Sequence, residues 1–580
     1  MRYASSMWKF LLGIAVGIVV AFVGALIIVF AMGRLFSTKQ VSIEGNSVLV
    51  LALTGEVPEA APVDIPIPFV QAQSVPTVRD IWTSLRQAAS DNRIRAIVLQ
   101  PNGLATGWGK LQELRQEIVA FKKSGKPVYA FLQSPGSREY YLASVADKIY
   151  LSPDDMLGVK GFALEEMYFK NTLDKVGVQF EVDHIGRYKD AGDIFTKTAM
   201  SPETREVLNQ VLDQIYNDFC ATVGQGRHKT AEEVKTLVDA GPFLGSQAKA
   251  TGLVDELGYE DQVYGALKKK LGVSEIKKSN IRTYFRAAPG KGDRIAFLAG
   301  EGDIVRGDLD DSFGNPTGIS SVGFAKVIRR VREDKSIKGV ILRVDSPGGD
   351  SVASDEILHE LKLLSTAKPL VISMSDVAAS GGYFISMTGD PVLSYSGTIT
   401  GSIGVLYLRP NFKGLYDKLG IQASLLTRGQ FADLDVVSQP LSDAGRRKLH
   451  ESIEATYRSF VGKVAAARKK NYDQIDSLAQ GRVWMGGQAR QNGLIDELGG
   501  LDQAIALIRR KAKLSATGET NLVMYPPRRT LFEVLANTSP ESLEGQAAET
   551  RLRKIVPNLP SRALLQGGML RMLPYQVTIH

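Results

Sequence analysis

Ser380 and Lys189 are the two residues of this 580-residue chain whose types and settings suit nucleophilic chemistry. Ser380 lies in Ser375-Asp376-Val377-Ala378-Ala379-Ser380-Gly381-Gly382-Tyr383-Phe384-Ile385, after an apolar strand pattern over 368–374 and before a helical one. Small residues at a strand-to-helix junction place the serine hydroxyl at a helix N-terminus, where the dipole and free N–H groups favour developing negative charge. The same position also suits a plain N-cap, since serine is preferred there. A serine hydroxyl is a poor nucleophile until a base removes its proton. The five histidines, His184, His228, His359, His450 and His580, show no setting of a Ser-His-Asp arrangement. A lysine can replace histidine where burial keeps its amine neutral, and serine–lysine dyads are a variant of triad logic. Lys189 stands in His184-Ile185-Gly186-Arg187-Tyr188-Lys189-Asp190-Ala191. Asp190 opposes such a depression if the two side chains meet, but neighbours in an extended segment point to opposite faces.

The elements that must position this pair are written twice. The segment 91–99 returns at 334–342, 173–179 at 416–422 and 252–258 at 493–499, at offsets of 243, 243 and 241 residues. That register marks an internal duplication, and each copy serves as a control for the other. At an offset of 242, Arg138 of Pro135-Gly136-Ser137-Arg138 falls where Ser380 stands; at 243, Ala432 falls where Lys189 stands. One copy thus lacks the hydroxyl and the other the amine, as if each kept half of a shared site. The second copy also turns through Asp345-Ser346-Pro347-Gly348-Gly349-Asp350, where the first has Gln100-Pro101-Asn102-Gly103-Leu104. Paired glycines after a strand let backbone N–H groups approach a ligand closely, although Pro-Gly-Gly alone is only a turn.

Strand patterns at 47–53, 96–99, 128–132 and 148–151 alternate with helical ones at 109–123 and 201–224, and the second copy repeats the scheme from 294. Such alternation predicts an α/β fold with largely parallel strands. The domains expected are an N-terminal anchor over 1–40, a first α/β repeat over 41–280 carrying the lysine, a second over 290–515 carrying the serine, and a C-terminal tail over 516–580. The anchor rests on residues 11–32, which hold no charged or strongly polar side chain. That length crosses a hydrocarbon core of ~30 Å at ~1.5 Å per residue, and exceeds the ~7–15 residues of a signal-peptide core. Arg2 and Lys9 before the span, against Arg34 and Lys39 after it, slightly favour a cytoplasmic N-terminus with the bulk of the chain outside.

Composition excludes several classes. Hydrophobic residues make up 44% and charged residues 23%, as in ordinary globular chains. Seventy basic against 62 acidic side chains leave +8, too thin an excess over this length to argue for nucleic acid. The single cysteine, Cys220, forms no intrachain disulfide framework and falls on the buried side of a helical pattern. Without His-x-x-x-His, ligand-spaced carboxylates or a phosphate loop, neither a metal nor ATP chemistry is expected.

Asp345-Ser346-Pro347-Gly348-Gly349, Ala379-Ser380-Gly381-Gly382-Tyr383, Thr400-Gly401-Ser402-Ile403-Gly404-Val405 and the Gly186-x-Tyr188-Lys189 segment resemble the signatures of signal peptide peptidase A in its long tandem-repeat form, protease IV. The resemblance covers roughly residues 1–515. It implies two Clp-protease/crotonase-like repeats preceded by one transmembrane helix, and a serine–lysine dyad endopeptidase working through an acyl-enzyme. By the same resemblance Ser380 is the nucleophile and Lys189 the general base. The N–H groups of Gly348 or Gly349 and of Gly381 form the oxyanion hole, and Ser402 orients the lysine. Also implied are short apolar peptides as substrates, cleaved signal peptides above all, with no cofactor. The implied setting is the inner membrane, held through residues 11–32, with the bulk extracytoplasmic, as a homo-oligomeric, tetramer-like ring or bowl. Asp345 and Asp350, if exposed, would disfavour acidic substrate residues. Two other classes stay open: a crotonase-type acyl-CoA enzyme, because folds are shared across chemistries, and a non-catalytic membrane scaffold.

Overall fold

The computed structural model describes residues 42–60, 75–287, 290–308, 318–527, 568–573 and 578–579, together with Gly17 and Gly24. The expected anchor over 11–32 lies, but for those two glycines, outside the described residues. Among the described residues no helix is long and apolar enough to cross a membrane.

Each repeat is built on a sheet whose strands are apolar on both faces, the pattern that parallel strands need when helices cover both sides. In the first, Ser47–Gly55 pairs in parallel with Ile94–Leu104, which pairs with Val128–Leu132 and then Lys148–Leu151. Lys277–Asn280 and Glu256–Leu257 close the two edges. In the second, Asp293–Glu301, Gly339–Ser346 and Leu370–Ala379 repeat that parallel core. Helices of matching length follow equivalent strands: Pro202–Arg227 in the first repeat and Asp443–Arg468 in the second, each begun by a serine whose hydroxyl accepts a backbone N–H. Cys220 is buried on the first of these. Two equivalent tyrosines bind equivalent carbonyls, Tyr140 Oη donating to Leu253 O and Tyr383 Oη to Leu494 O, both at 2.7 Å.

A third sheet joins the repeats. Gln179–Ile185 of the first runs antiparallel to Val405–Asn411 of the second, with Ile185 opposite Val405 and Gln179 opposite Asn411. Part of the segment expected as a tail is built in as well. Thr520–Tyr525 pairs in parallel with Asp293–Glu301, and Gly568–Met572 lies antiparallel between Gly348–Asp350 and Val405–Asn411. Ion pairs also cross the boundary. Arg343, fully buried on the second repeat's central strand, meets Glu59 at 2.8 Å and Glu113, both from the first. The Asp376 carboxylate of the second repeat accepts the N–H groups of Gly107 and Lys110, capping Trp108–Lys122 of the first.

Candidate active site

The antiparallel pair that ends at Ile185 and Val405 decides where the lysine goes. The chain leaving Ile185 and the chain entering Val405 meet at the same end, so Lys189 arrives beside Ser402. Its Nζ lies 2.7 Å from Ser380 Oγ, 2.9 Å from Ser402 Oγ and 3.1 Å from Ser402 O. All three residues are wholly buried. A neutral amine matches these partners: its lone pair can accept the Ser380 hydroxyl proton while its N–H groups donate to Ser402.

Burial decides the charge. Loss of hydration pushes the Lys189 amine well below the ordinary lysine range; the neighbouring Asp190 carboxylate opposes this, and the Arg571 cation adds to it. Asp190 turns away, accepting hydrogen bonds from Thr204 Oγ1 and, at 3.5 Å, Ser201 Oγ. Its own burial pushes it up to about 7, which weakens its pull. Arg571 is buried with its guanidinium 3.8 Å from the Phe384 ring centre, and desolvation lowers it to about 10.

Ser380 sits at φ 52°, ψ −110°, with its N–H donating to Gly401 O at 2.8 Å and its carbonyl accepting from Phe384 N. A non-glycine residue there is strained, and such strain is kept where surrounding structure over-determines it. Ser402 too has a positive φ, 50°. Beside Ser380, Gly348 and Gly381 face each other: a Cβ on Gly348 would stand 2.6 Å from Gly381 N and 2.0 Å from Arg571 O. The Gly348 N–H donates to Ser346 Oγ at 3.2 Å. Gly349 faces elsewhere, its place for a Cβ lying 2.0 Å from Ile304 O.

The two carboxylates expected near this turn are both engaged. Asp345 is 2.7 Å from Lys110 Nζ and accepts the Val377 N–H, while Asp350 caps Ser351–Ala367 and pairs with Arg306. Lys110 is buried among Asp345, Glu56, Glu301 and Asp376. Three of these carboxylates, Glu56, Glu301 and Asp345, have oxygens within 4.8 Å of one another, and the lysine ammonium supplies the positive charge among them. His184 and His450 lie on the surface, the latter against Asp183.

One sequence expectation is corrected. The matched tyrosines Tyr140 and Tyr383 fix the helix offset at 243, so Ser137, and not Arg138, is the counterpart of Ser380. The first repeat therefore keeps a serine. What it loses is the glycine pair: Arg138 and Glu139 stand for Gly381 and Gly382, and the Glu139 carboxylate accepts the N–H groups of Leu104 and Gly136 at 2.5 and 2.9 Å. Its own anion occupies the backbone donors. Sequence reasoning also missed the strand Gly568–Met572 beside the glycine turn, and the turn Gln480–Arg482 described below. For the latter a signal existed, because the repeats differ there.

A strained serine at a helix start, a buried amine against it and facing glycines are the parts of a serine hydrolase site. The comparisons with known proteins agree. The profile of Peptidase family S49 matches residues 120–274 and again 362–515. The chain is 33% identical over 523 residues to the chloroplastic serine protease SPPA of Arabidopsis thaliana, covering 88% of this chain and 76% of that one. It is 32% identical over 486 residues to Protease 4 of Salmonella typhi, covering 81% and 77%. Among solved structures, a ClpP1 mutant from Listeria monocytogenes aligns with 37% of the chain at 13% identity and a TM-score of only 0.22. The protein is a serine peptidase. It belongs to peptidase family S49, with the family domain present twice.

Proposed function

We propose that the chain is a membrane-anchored serine endopeptidase that degrades short apolar peptides, remnants of cleaved signal peptides above all, through a dyad shared between its repeats. The observation that carries this is the 2.7 Å contact between a wholly buried Lys189 Nζ and Ser380 Oγ. Lys189 takes the Ser380 hydroxyl proton as Oγ adds to the peptide carbonyl carbon. The resulting oxyanion is met by the N–H groups of Gly348 and Gly381. The Gly348 donor is held by Ser346 Oγ until substrate arrives, and Gly349 is left out of the cradle. The Lys189 ammonium then protonates the leaving amine nitrogen, the C–N bond breaks, and an acyl-enzyme ester remains. Water, deprotonated by the same amine, adds to the ester carbonyl carbon; the C–Oγ bond then breaks, the Lys189 ammonium returns the proton to Ser380 Oγ, and the acid leaves. Ser402 holds Lys189 by its hydroxyl and carbonyl. The span over 11–32 anchors the enzyme in the inner membrane with both repeats on the extracytoplasmic side, and the chain works as a ring-like homo-oligomer.

Covalent labelling by a fluorophosphonate or β-lactone tests the dyad. Labelling of Ser380 that disappears in Lys189→Ala, together with loss of cleavage of a fluorogenic apolar peptide, is expected. Full labelling and cleavage in that variant would remove the lysine from the mechanism.

A further inference from the structure

Arg482, one position at which the repeats differ, lies outside the dyad but beside it. The turn 480–482 of the second repeat holds the base segment and the orienting serine together. Gln480 O accepts the Tyr188 N–H at 2.8 Å, and Arg482 O accepts the Ser402 N–H at 2.7 Å. Gly481 lies flat against the lysine: a Cβ there would come 2.6 Å from Lys189 Cβ. At φ 74° its N–H donates to Ile403 O at 2.9 Å. One short turn thus contacts both residues flanking the Nζ–Ser402 contacts.

The Arg482 side chain fixes this turn to the other repeat. Its guanidinium donates to Tyr188 Oη at 2.9 Å and Gln210 Oε1 at 3.0 Å, and pairs with Glu206 at 2.9 Å. It stacks between the Tyr188 and Trp484 rings, 4.8 Å from each ring centre. Arginine's planar fork suits such a combined stacked and multidentate grip. The duplication supplies an independent argument. The helices Gly245–Ala250 and Gly486–Asn492 are capped alike, Leu244 N by Gln247 and Met485 N by Gln488, which fixes the local offset at 241. Gly241 therefore stands where Arg482 does, and Phe431 where Tyr188 does. The guanidinium and the hydroxyl that receives it are present only on the two faces that bring Lys189 to Ser380.

We infer that Arg482 is a positioning residue for the peptidase reaction: by clamping Tyr188 it sets the register of Lys189 against Ser402 and Ser380. This rests on Lys189 being the general base. Arg482 touches no reacting atom, so its effect is on geometry, where a misplacement of about 1 Å costs about 100-fold.

The test uses the full-length protein and an apolar fluorogenic peptide, with Arg482→Met, Arg482→Lys, Tyr188→Phe, the Arg482→Met/Tyr188→Phe double variant and Lys189→Met. Expected are a fall in kcat of about 10- to 100-fold in Arg482→Met with KM within about twofold, and a smaller fall in Tyr188→Phe. The double variant should be no worse than Arg482→Met, Arg482→Lys should recover part of the loss, and the limb of the kcat/KM–pH profile that reports Lys189 should move. Variants that melt earlier but keep the wild-type kcat and the same pH limb would overturn the inference. So would simple additivity of the two losses. Tyr188→Phe removes a single oxygen and reads the same effect if Arg482→Met does not fold. If Lys189→Met stays active, the base assignment falls; if it is dead while the Arg482 variants match wild type, only the positioning role falls.

Discussion

Replacing Lys189 by methionine tests the charge state on which the dyad depends, without measuring catalysis. Methionine keeps an unbranched, apolar stem of similar length and removes the ionisable group. In the folded protein burial holds the amine well below the ordinary lysine range, whereas in the unfolded chain it returns to about 10.4. Between those two values the unfolded chain carries one proton that the folded protein does not. A group depressed in this way penalises folding fully below its folded pKa and ceases to do so above the unfolded one. Across that window the wild type gains about 1.4 kcal/mol of stability per pH unit from this residue. The variant gains nothing there. Asp190, at about 7, titrates below the pH range of the measurement, and every other group is common to both proteins. Urea unfolding followed by tryptophan fluorescence, at steps from about pH 7.5 to 9.5, should show Lys189→Met more stable at the low end. That advantage should shrink by about 1.4 kcal/mol for each unit of pH. Parallel stability curves would mean that Lys189 carries the same charge folded and unfolded, and the neutral-base argument would fail.

Two further outcomes follow from the geometry. Ser380→Gly and Ser380→Ala both lose the hydroxyl, but only alanine keeps a Cβ at φ 52°; thermal unfolding should rank glycine above alanine by about 1 kcal/mol, the reverse of their usual order, with labelling absent from both. Arg343→Leu leaves the buried Glu59 and Glu113 carboxylates without their cation. Stability should fall by about 3–5 kcal/mol, and by less at pH 6 than at pH 8, because Glu113, which burial already holds above the ordinary carboxylate range, then takes up a proton; a pH-independent loss would refute the ionic account.

The strands and helices of both repeats were legible from alternation and duplication: the strand expected over 128–132 is Val128–Leu132, and the helix expected over 109–123 is Trp108–Lys122. The lysine could be picked out because the second copy has Ala432 in its place, whereas the serine stood out by its small-residue setting, the first copy keeping Ser137 at that position but not the glycine pair after it. The slip that hid Ser137 arose because Tyr140 and Tyr141 are adjacent and identical, and only the bond to Leu253 O says which one matches Tyr383. Lys110 reads as one more charge on a helix. Its burial among Asp345, Asp376, Glu56 and Glu301 depends on segments of the second repeat far along the chain, together with the connector at Glu56. Gly568–Met572 is a short run whose place beside Gly348 is set by pairing across the whole second repeat, and no local pattern announces it.

The 191 residues separating Lys189 from Ser380 have a consequence for biosynthesis. A ribosome delivers the amine first, the hydroxyl much later, and the turn at Gln480–Arg482 that braces them later still. If the proposed dyad is the cutting centre, the growing polypeptide cannot hold it assembled, or attack itself or its neighbours with it, until that last stretch has been translated and folded.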